Sequence, residues 1–431
     1  MATAAQTAPI PARAAWPLAV LAIAMASGFA ALGSFGTVTE PAKADLALSD
    51  HALGLVQGVS GALPLVLFSV PVGILVDRWN RVRLLFALAV VWTAGTLMTA
   101  YASGTGSLLV ARMLTGIGTT GALTAALSLG ADLCTPERRG RAMTVVTLGK
   151  TVGIAAGFAL TGALFGLFGD GALGLVPWRA AHLALAGLLL VSLLPLLTLR
   201  EPPRREVAAA AGAPLRVVAG ELRARAAFLV PLFIGQVSVV MADHAALVWA
   251  APVLGREFGL QPDQFAGWMG ALILGTGLGG AVLGGLAADW GQRGGRRGGV
   301  LLGAVVAAAI GAPAAIFPVA GDVTLFAILF GTLVLCGTIT GLITSVAITT
   351  LIPNEARGLT VGLFVAVAGL IGFGIAPTLV TAVSELLGGE AHLAPALAIV
   401  GTVTGVMAVL AFALAVRNAP TSATEHLSDR S

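Results

Sequence analysis

Residues 73–83 read Gly73-Ile74-Leu75-Val76-Asp77-Arg78-Trp79-Asn80-Arg81-Val82-Arg83. A second version follows later: Gly285-Leu286-Ala287-Ala288-Asp289-Trp290-Gly291-Gln292-Arg293. Each ends a long apolar run with an acid and reaches an arginine one helical turn later. One offset, 212 residues, carries Leu48 to Leu260, Asp77 to Asp289 and Arg81 to Arg293. Further on, Glu137-Arg138-Arg139-Gly140 recurs as Glu355-Ala356-Arg357-Gly358. A repeat on this scale means two halves with the same layout.

Outward from these loops lie apolar segments long enough to cross about 30 Å of hydrocarbon. They are 16–38, 51–76, 84–102, 107–132, 143–168, 178–199, 228–253, 264–288, 299–318, 322–351, 359–386 and 393–416, twelve in all. The expected organisation is a stub (1–15), a six-helix bundle (16–199), a linker (200–227), a second six-helix bundle (228–416) and a tail (417–431). The linker opens Glu201-Pro202-Pro203-Arg204-Arg205. The apolar run after Trp16 is longer than the ~7–15 residues of a signal-peptide core, so it reads as a retained first helix.

Composition agrees. Of 431 residues, 57% are hydrophobic and 10% charged, and the mean hydropathy is +0.96. A soluble domain carries about 25% charged residues. A water-facing surface cannot be built from so few, which excludes a soluble enzyme, a nucleic-acid binder and a disordered chain. Long unbroken apolar runs mean an all-α membrane protein rather than a barrel. The net charge of +4 reflects topology. Counting from a cytoplasmic N-terminus, nineteen basic residues fall on the cytoplasmic side and only Lys43, Arg179 and Arg256 on the other. Both termini are therefore expected in the cytoplasm, with the chain multi-pass in a bacterial inner membrane. Cys134 and Cys336 lie in separate apolar segments and suggest neither a disulfide nor a metal site.

Asp77 and Asp289 are expected to act as latches. A carboxylate beside a helix N-terminus gains about 0.3–1 kcal/mol from the dipole. Asp77 is expected near Gly358 and Asp289 near Arg141, only when the cytoplasmic ends are together. Arg78, Arg81, Glu137, Arg138, Arg141, Arg293, Glu355 and Arg357 complete the expected cytoplasmic gate. The alternative is a solvated loop whose basic residues only fix topology.

Charges inside helices are costly and normally face a cavity or a partner. Arg112 is such a charge, with Thr115 and Thr119 on its face at i+3 and i+7. Snorkelling to the outer interface is the competing reading. Lys150 is open to the same two readings, while Gly153, Gly157 and Gly162 beside it read as small-residue packing. Asp243-His244 lies in the seventh helix, with Gln236 on the face of Asp243. An acid there can take up and release a proton as its surroundings change; a structural hydrogen bond between helices is the alternative. His182 reads as a packed residue. Glu40 reads as interfacial, or as part of an outer gate.

The G-x-x-x-D-R-x-x-R run at Gly73–Arg81 resembles the major facilitator superfamily. Within it, several stretches resemble the Spinster-like branch. They are Ala44-Asp45-Leu46-Ala47-Leu48-Ser49-Asp50 with Leu53-Gly54-Leu55, and Asp77-Arg78-Trp79-Asn80-Arg81. Ala111-Arg112 with Gly116-Ile117-Gly118, Ala131-Asp132-Leu133, Trp178-Arg179 and Arg200-Glu201-Pro202 complete the likeness. The resemblance implies a secondary transporter working by alternating access on twelve helices, with lysolipid- or sphingolipid-like export or drug efflux as candidate activities. The chain departs from the branch twice. The acid of its first helix would fall near Leu32-Gly33, where none is present, and the Glu that often follows G-I-G is Thr119. Both are associated with proton coupling. The repeat offset sets Asp243 opposite residue 31, so Asp243 is the candidate to take over part of that role.

The expected function is proton-coupled transport of a small amphipathic or lipid-like molecule, with no enzyme activity, cofactor, metal or nucleic-acid partner. The bilayer, the substrate and protons are the expected partners of a monomer. A uniporter, or a non-transporting receptor on the same fold, is the alternative.

Overall fold

The computed structural model describes residues 12–135, 138–204, 220 and 222–420. Among them, twelve helices are long and apolar enough to cross a membrane. They are α1 (Ala14–Thr37), α2 (Asp50–Arg78), α3 (Arg81–Ala100), α4 (Thr105–Leu133), α5 (Arg139–Leu167) and α6 (Pro177–Thr198). The second set is α7 (Ala226–Phe258), α8 (Pro262–Arg293), α9 (Gly299–Val319), α10 (Val323–Leu351), α11 (Ala356–Leu386) and α12 (Glu390–Asn418). The architecture is the all-helical membrane fold expected.

Polar residues at the ends of the apolar runs start the helices. Ser49, Asn80 and Asp322 each accept a backbone N–H, from Ala52, Arg83 and Leu325 respectively. The acidic motifs differ from the loops expected. Asp77 and Arg78 belong to the last turn of α2, and Asp289 and Arg293 to the end of α8. Trp79 N–H still bonds the Leu75 carbonyl, so Trp79 and Asn80 make the whole reversal into α3. A short helix, Thr39–Leu46, lies between α1 and α2 and ends at Ala47 in the left-handed conformation, φ 50°.

The chain forms two compact units, Met1–Ala208 with Leu254–Leu274, and Ala209–Val253 with Gly275–Ser431. Helices α7 and α8 each pass from one unit to the other, so the turn that joins them belongs to the first.

Small residues let the helix backbones meet in the first unit. A side chain at Gly149, Gly153 or Gly157 of α5 would run into the backbone of Ala22, Ala26 or Ala30 of α1. Gly162 lies against Pro262 and Ala266, and Gly270 against Ala155 and Ala159, which seats the start of α8 on α5. Lipid tails are as apolar as Leu, so close packing rather than the hydrophobic effect holds such helices together. In the second unit Gly280 and Gly284 of α8 pack on Thr338 and Ile339 of α10. Gly401 and Gly405 of α12 pack on Ala315 and Ala312 at the C-terminal end of α9. Residues Ala368–Ile375 of α11 form a π-helical stretch, and Gly372 within it meets Val240 of α7.

Candidate functional site

In the first unit the candidate residues of α4 turn toward two different neighbours. Arg112 is buried, 2% exposed. Its Nη1 donates to the Ala31 carbonyl at 3.1 Å and its Nη2 to the Leu32 carbonyl at 2.5 Å. The guanidinium stands over the Phe35 ring at 5.4 Å, and its Nε is buried without a partner among the described residues. Arg112 therefore sits on the stretch of α1 where the resembled branch carries its acid, held by carbonyls instead of a carboxylate. Thr119 donates to the Gly28 carbonyl of the same helix at 3.1 Å. Thr115 turns to α3, against Gly95, and its hydroxyl donates to the Ala111 carbonyl within α4. Lys150 of α5 is half-buried, its Nζ 5.3 Å from the centroid of Phe29. His182 is fully buried, with Nδ1 2.9 Å from the Trp178 carbonyl and Nε2 3.4 Å from Ser34 Oγ. Edge contacts with Phe35 and Trp178 complete its packing.

In the second unit the acid and the histidine of α7 point to different helices. The Asp243 carboxyl rests on the backbone of Gly337 in α10, where a methyl group would overlap it. Its Oδ1 is buried with no hydrogen-bond partner among the described residues. One residue on, the side chain has turned by about 100°. His244 therefore meets Phe373 in the π-helical stretch of α11, ring centroids 4.8 Å apart. Its Nε2 also has no partner among the described residues. Gln236, two turns before Asp243 on the same face, accepts from Thr344 Oγ1 at 3.0 Å. Along the α7–α10 seam, then, Gln236 Oε1 has a partner and Asp243 Oδ1 has none among the described residues.

A third group surrounds the short helix Thr39–Leu46. Arg256, at the end of α7, donates to Glu40 at 2.5 Å and to Asp50 at 2.6 Å. Lys43 also bonds Asp50, at 2.6 Å. Asp45 accepts from Arg179 at 2.7 Å and from Trp178 Nε1 at 3.2 Å. Glu40 is thus one member of a network that ties α7 to the α1–α2 connection.

The residues expected at the gate fall into two sets. Arg81 is buried, 2% exposed. It pairs with Asp132 at the end of α4 (2.5 Å) and Glu201 after α6 (2.7 Å). Asp77, Arg78, Asp289 and Arg293 are exposed. Arg204 donates to the backbone carbonyls of Val76, Asp77 and Trp79. Arg357 donates to the Ile352 carbonyl at 3.3 Å, and Arg138 and Arg141 are half-buried. Glu137 and the Glu355 side chain lie outside the described residues.

Sequence reasoning did not assign roles to Asp50, Asp132, Gly337 or Phe373. Asp50 and Asp132 carry the general signal of an acid at a helix end. Gly337 and Phe373 carry none, since each matters only through a residue about a hundred positions away in the chain.

Twelve apolar spans among the described residues, some with an isolated charge inside, define a multi-pass integral membrane protein. The chain belongs to the Major Facilitator Superfamily, whose family model matches residues 18–250. It is 31% identical to the 3-(3-hydroxy-phenyl)propionate transporter of Escherichia coli over 53% of this chain and 53% of that one. It is 32% identical to human protein spinster homolog 1 over 37% of this chain and 29% of that one. The matched stretches thus span about half, or less, of these curated relatives. The fold matches the crystal structure of a bacterial homolog of the human lysosomal transporter Spinster, inward-facing and unoccupied. The TM-score is 0.81 at 22% identity, over 96% of this chain and 98% of that one. The resemblance to the Spinster-like branch therefore holds in sequence and in fold.

Proposed function

We propose that the protein is a proton-coupled secondary transporter that moves a small amphipathic or lipid-like molecule across a bacterial inner membrane by alternating access. Both termini then lie in the cytoplasm. The observation that carries the reading is Asp243. Among the described residues it is the only acid near the middle of a membrane span; the others sit at helix ends or in connections. A carboxyl with one oxygen buried and unpartnered is costly to leave charged and so is suited to carry a proton. The latch reading of Asp77 and Asp289 belongs to the same proposal. Exposed carboxylates in one state, docked on helix N-termini in the other, bias the equilibrium between the two.

Transport by purified protein in liposomes under an imposed pH gradient tests this, against a panel of lysolipids, drugs and organic anions. Accumulation of a compound above its equilibrium level, abolished by a protonophore, is the expected result. Binding without flux for every compound that binds would contradict it and favour a receptor.

A further inference from the structure

The charges inside the first unit do not balance. Arg112 lies seven residues into α4 and Lys150 eleven residues into α5, depths of about 10 and about 16 Å. Neither forms an ion pair among the described residues. Arg112 has two carbonyls and a ring, and Lys150 has the Phe29 ring. The acids of this unit sit elsewhere. Glu40, Asp45 and Asp50 are paired around the α1–α2 connection, and Asp132 at the end of α4 and Glu201 after α6 pair with Arg81. Asp77 is exposed at the end of α2, and Asp170, Glu257 and Asp263 lie in a connection or at helix ends. Carbonyl dipoles and ring faces stabilise a cation only in part. The field of two such cations in a low-dielectric interior attracts negative charge.

We infer that the transported molecule carries an anionic oxygen group, a carboxylate or a phosphate monoester, and that Lys150 is the residue that meets it. Arg112 is closed in by its carbonyls and contributes a fixed positive charge. Lys150 is half-buried rather than enclosed, and its flexible stem lets the ammonium leave the Phe29 ring for a better partner. This inference rests on the transporter reading and names the chemistry of its cargo. An aromatic ring beside the cation suits a cargo with an apolar body next to its charged head.

The test is equilibrium binding to the full-length protein in detergent, which is independent of flux and of the proton gradient. The probes are matched pairs: 3-phenylpropionate with 3-phenylpropanamide, dodecanoate with dodecanamide, and dodecyl phosphate with dodecanol. Preference for at least one anion over its neutral partner by about tenfold or more is expected. The carboxylate and phosphate pairs show which head group is used. Lys150→Gln should erase that preference while leaving the neutral compound's affinity unchanged, and Lys150→Arg should keep it. Equal binding of acid and neutral partner in every pair, binding of none of the anions, or an undiminished preference in Lys150→Gln would overturn the inference. Arg112→Gln is the less informative variant, because loss of its bonds to α1 disturbs packing as well as charge.

Discussion

The carboxyl of Asp243 and the backbone of Gly337 are in direct contact, with no room for a side chain at residue 337. Gly337 is therefore a positioning residue for the acid. Gly337→Ala should displace the carboxyl and change the pH profile of transport. Gly341→Ala, one turn away on α10, adds a methyl group that meets only Gln236 Nε2 at 3.6 Å, an ordinary contact. It should leave the profile unchanged. Identical pH profiles for the two variants would contradict the assigned role.

Arg81 is a buried cation shared by two acids, Asp132 and Glu201. Removing one leaves the other, so the loss is that of one charge-assisted hydrogen bond, about 2 kcal/mol. Asp132→Asn should lower thermal stability in detergent by that order. The double variant Asp132→Asn with Glu201→Gln should lose more than the sum of the singles, because the cation is then stranded. Strict additivity would show that the two acids act independently.

The α1–α5 contact predicts a steep dependence on side-chain size. Gly157→Ala places a methyl group against the Ala30 backbone and should cost about 1–3 kcal/mol through forced displacement of the helices. A methyl group at Gly187 of α6 meets nothing within 4 Å. Gly187→Ala should be neutral or slightly stabilising, since Gly is a poor helix former. Thermal melts of the two variants decide the matter; equal melting temperatures would refute the close-approach account.

Asp77→Asn preserves size and removes the charge on which the latch depends. It should shift the protein toward states open to the cytoplasm and reduce transport severalfold at normal expression. Distance spectroscopy between labels at the Asp77 end of α2 and the Gly358 end of α11 reports the shift. Unchanged distance distributions in the variant would remove the latch.

The twelve spans are legible because an apolar run must end where a charge or a cap begins, and Asn80, Asp322 and the arginine-rich loops mark those ends. The short helix Thr39–Leu46 is not, because its eight residues are too few and too polar to show an apolar period, and it lies in a connection that also reads as a loop. The π-helical stretch of α11 has no period of its own in so apolar a sequence. At the site, Arg112, Lys150 and Asp243 stand out as charges in the wrong solvent. Their neighbours do not: Gly337, Phe29 and Phe373 look like any other small or apolar residue of a membrane helix. Pairing Arg81 with Asp132 requires knowing that the start of α3 and the end of α4 meet, which antiparallel neighbours make plausible but spacing alone does not fix.

In the proposed mechanism Asp243 couples proton movement to transport. Asp243→Asn keeps the shape of the protonated acid and cannot release a proton. In liposomes loaded with substrate, the variant should still exchange internal for external substrate, and it should lose all accumulation driven by a pH gradient. Gradient-driven accumulation at the level of the unmodified protein would contradict the claim and leave a uniporter, or coupling through His244, in its place.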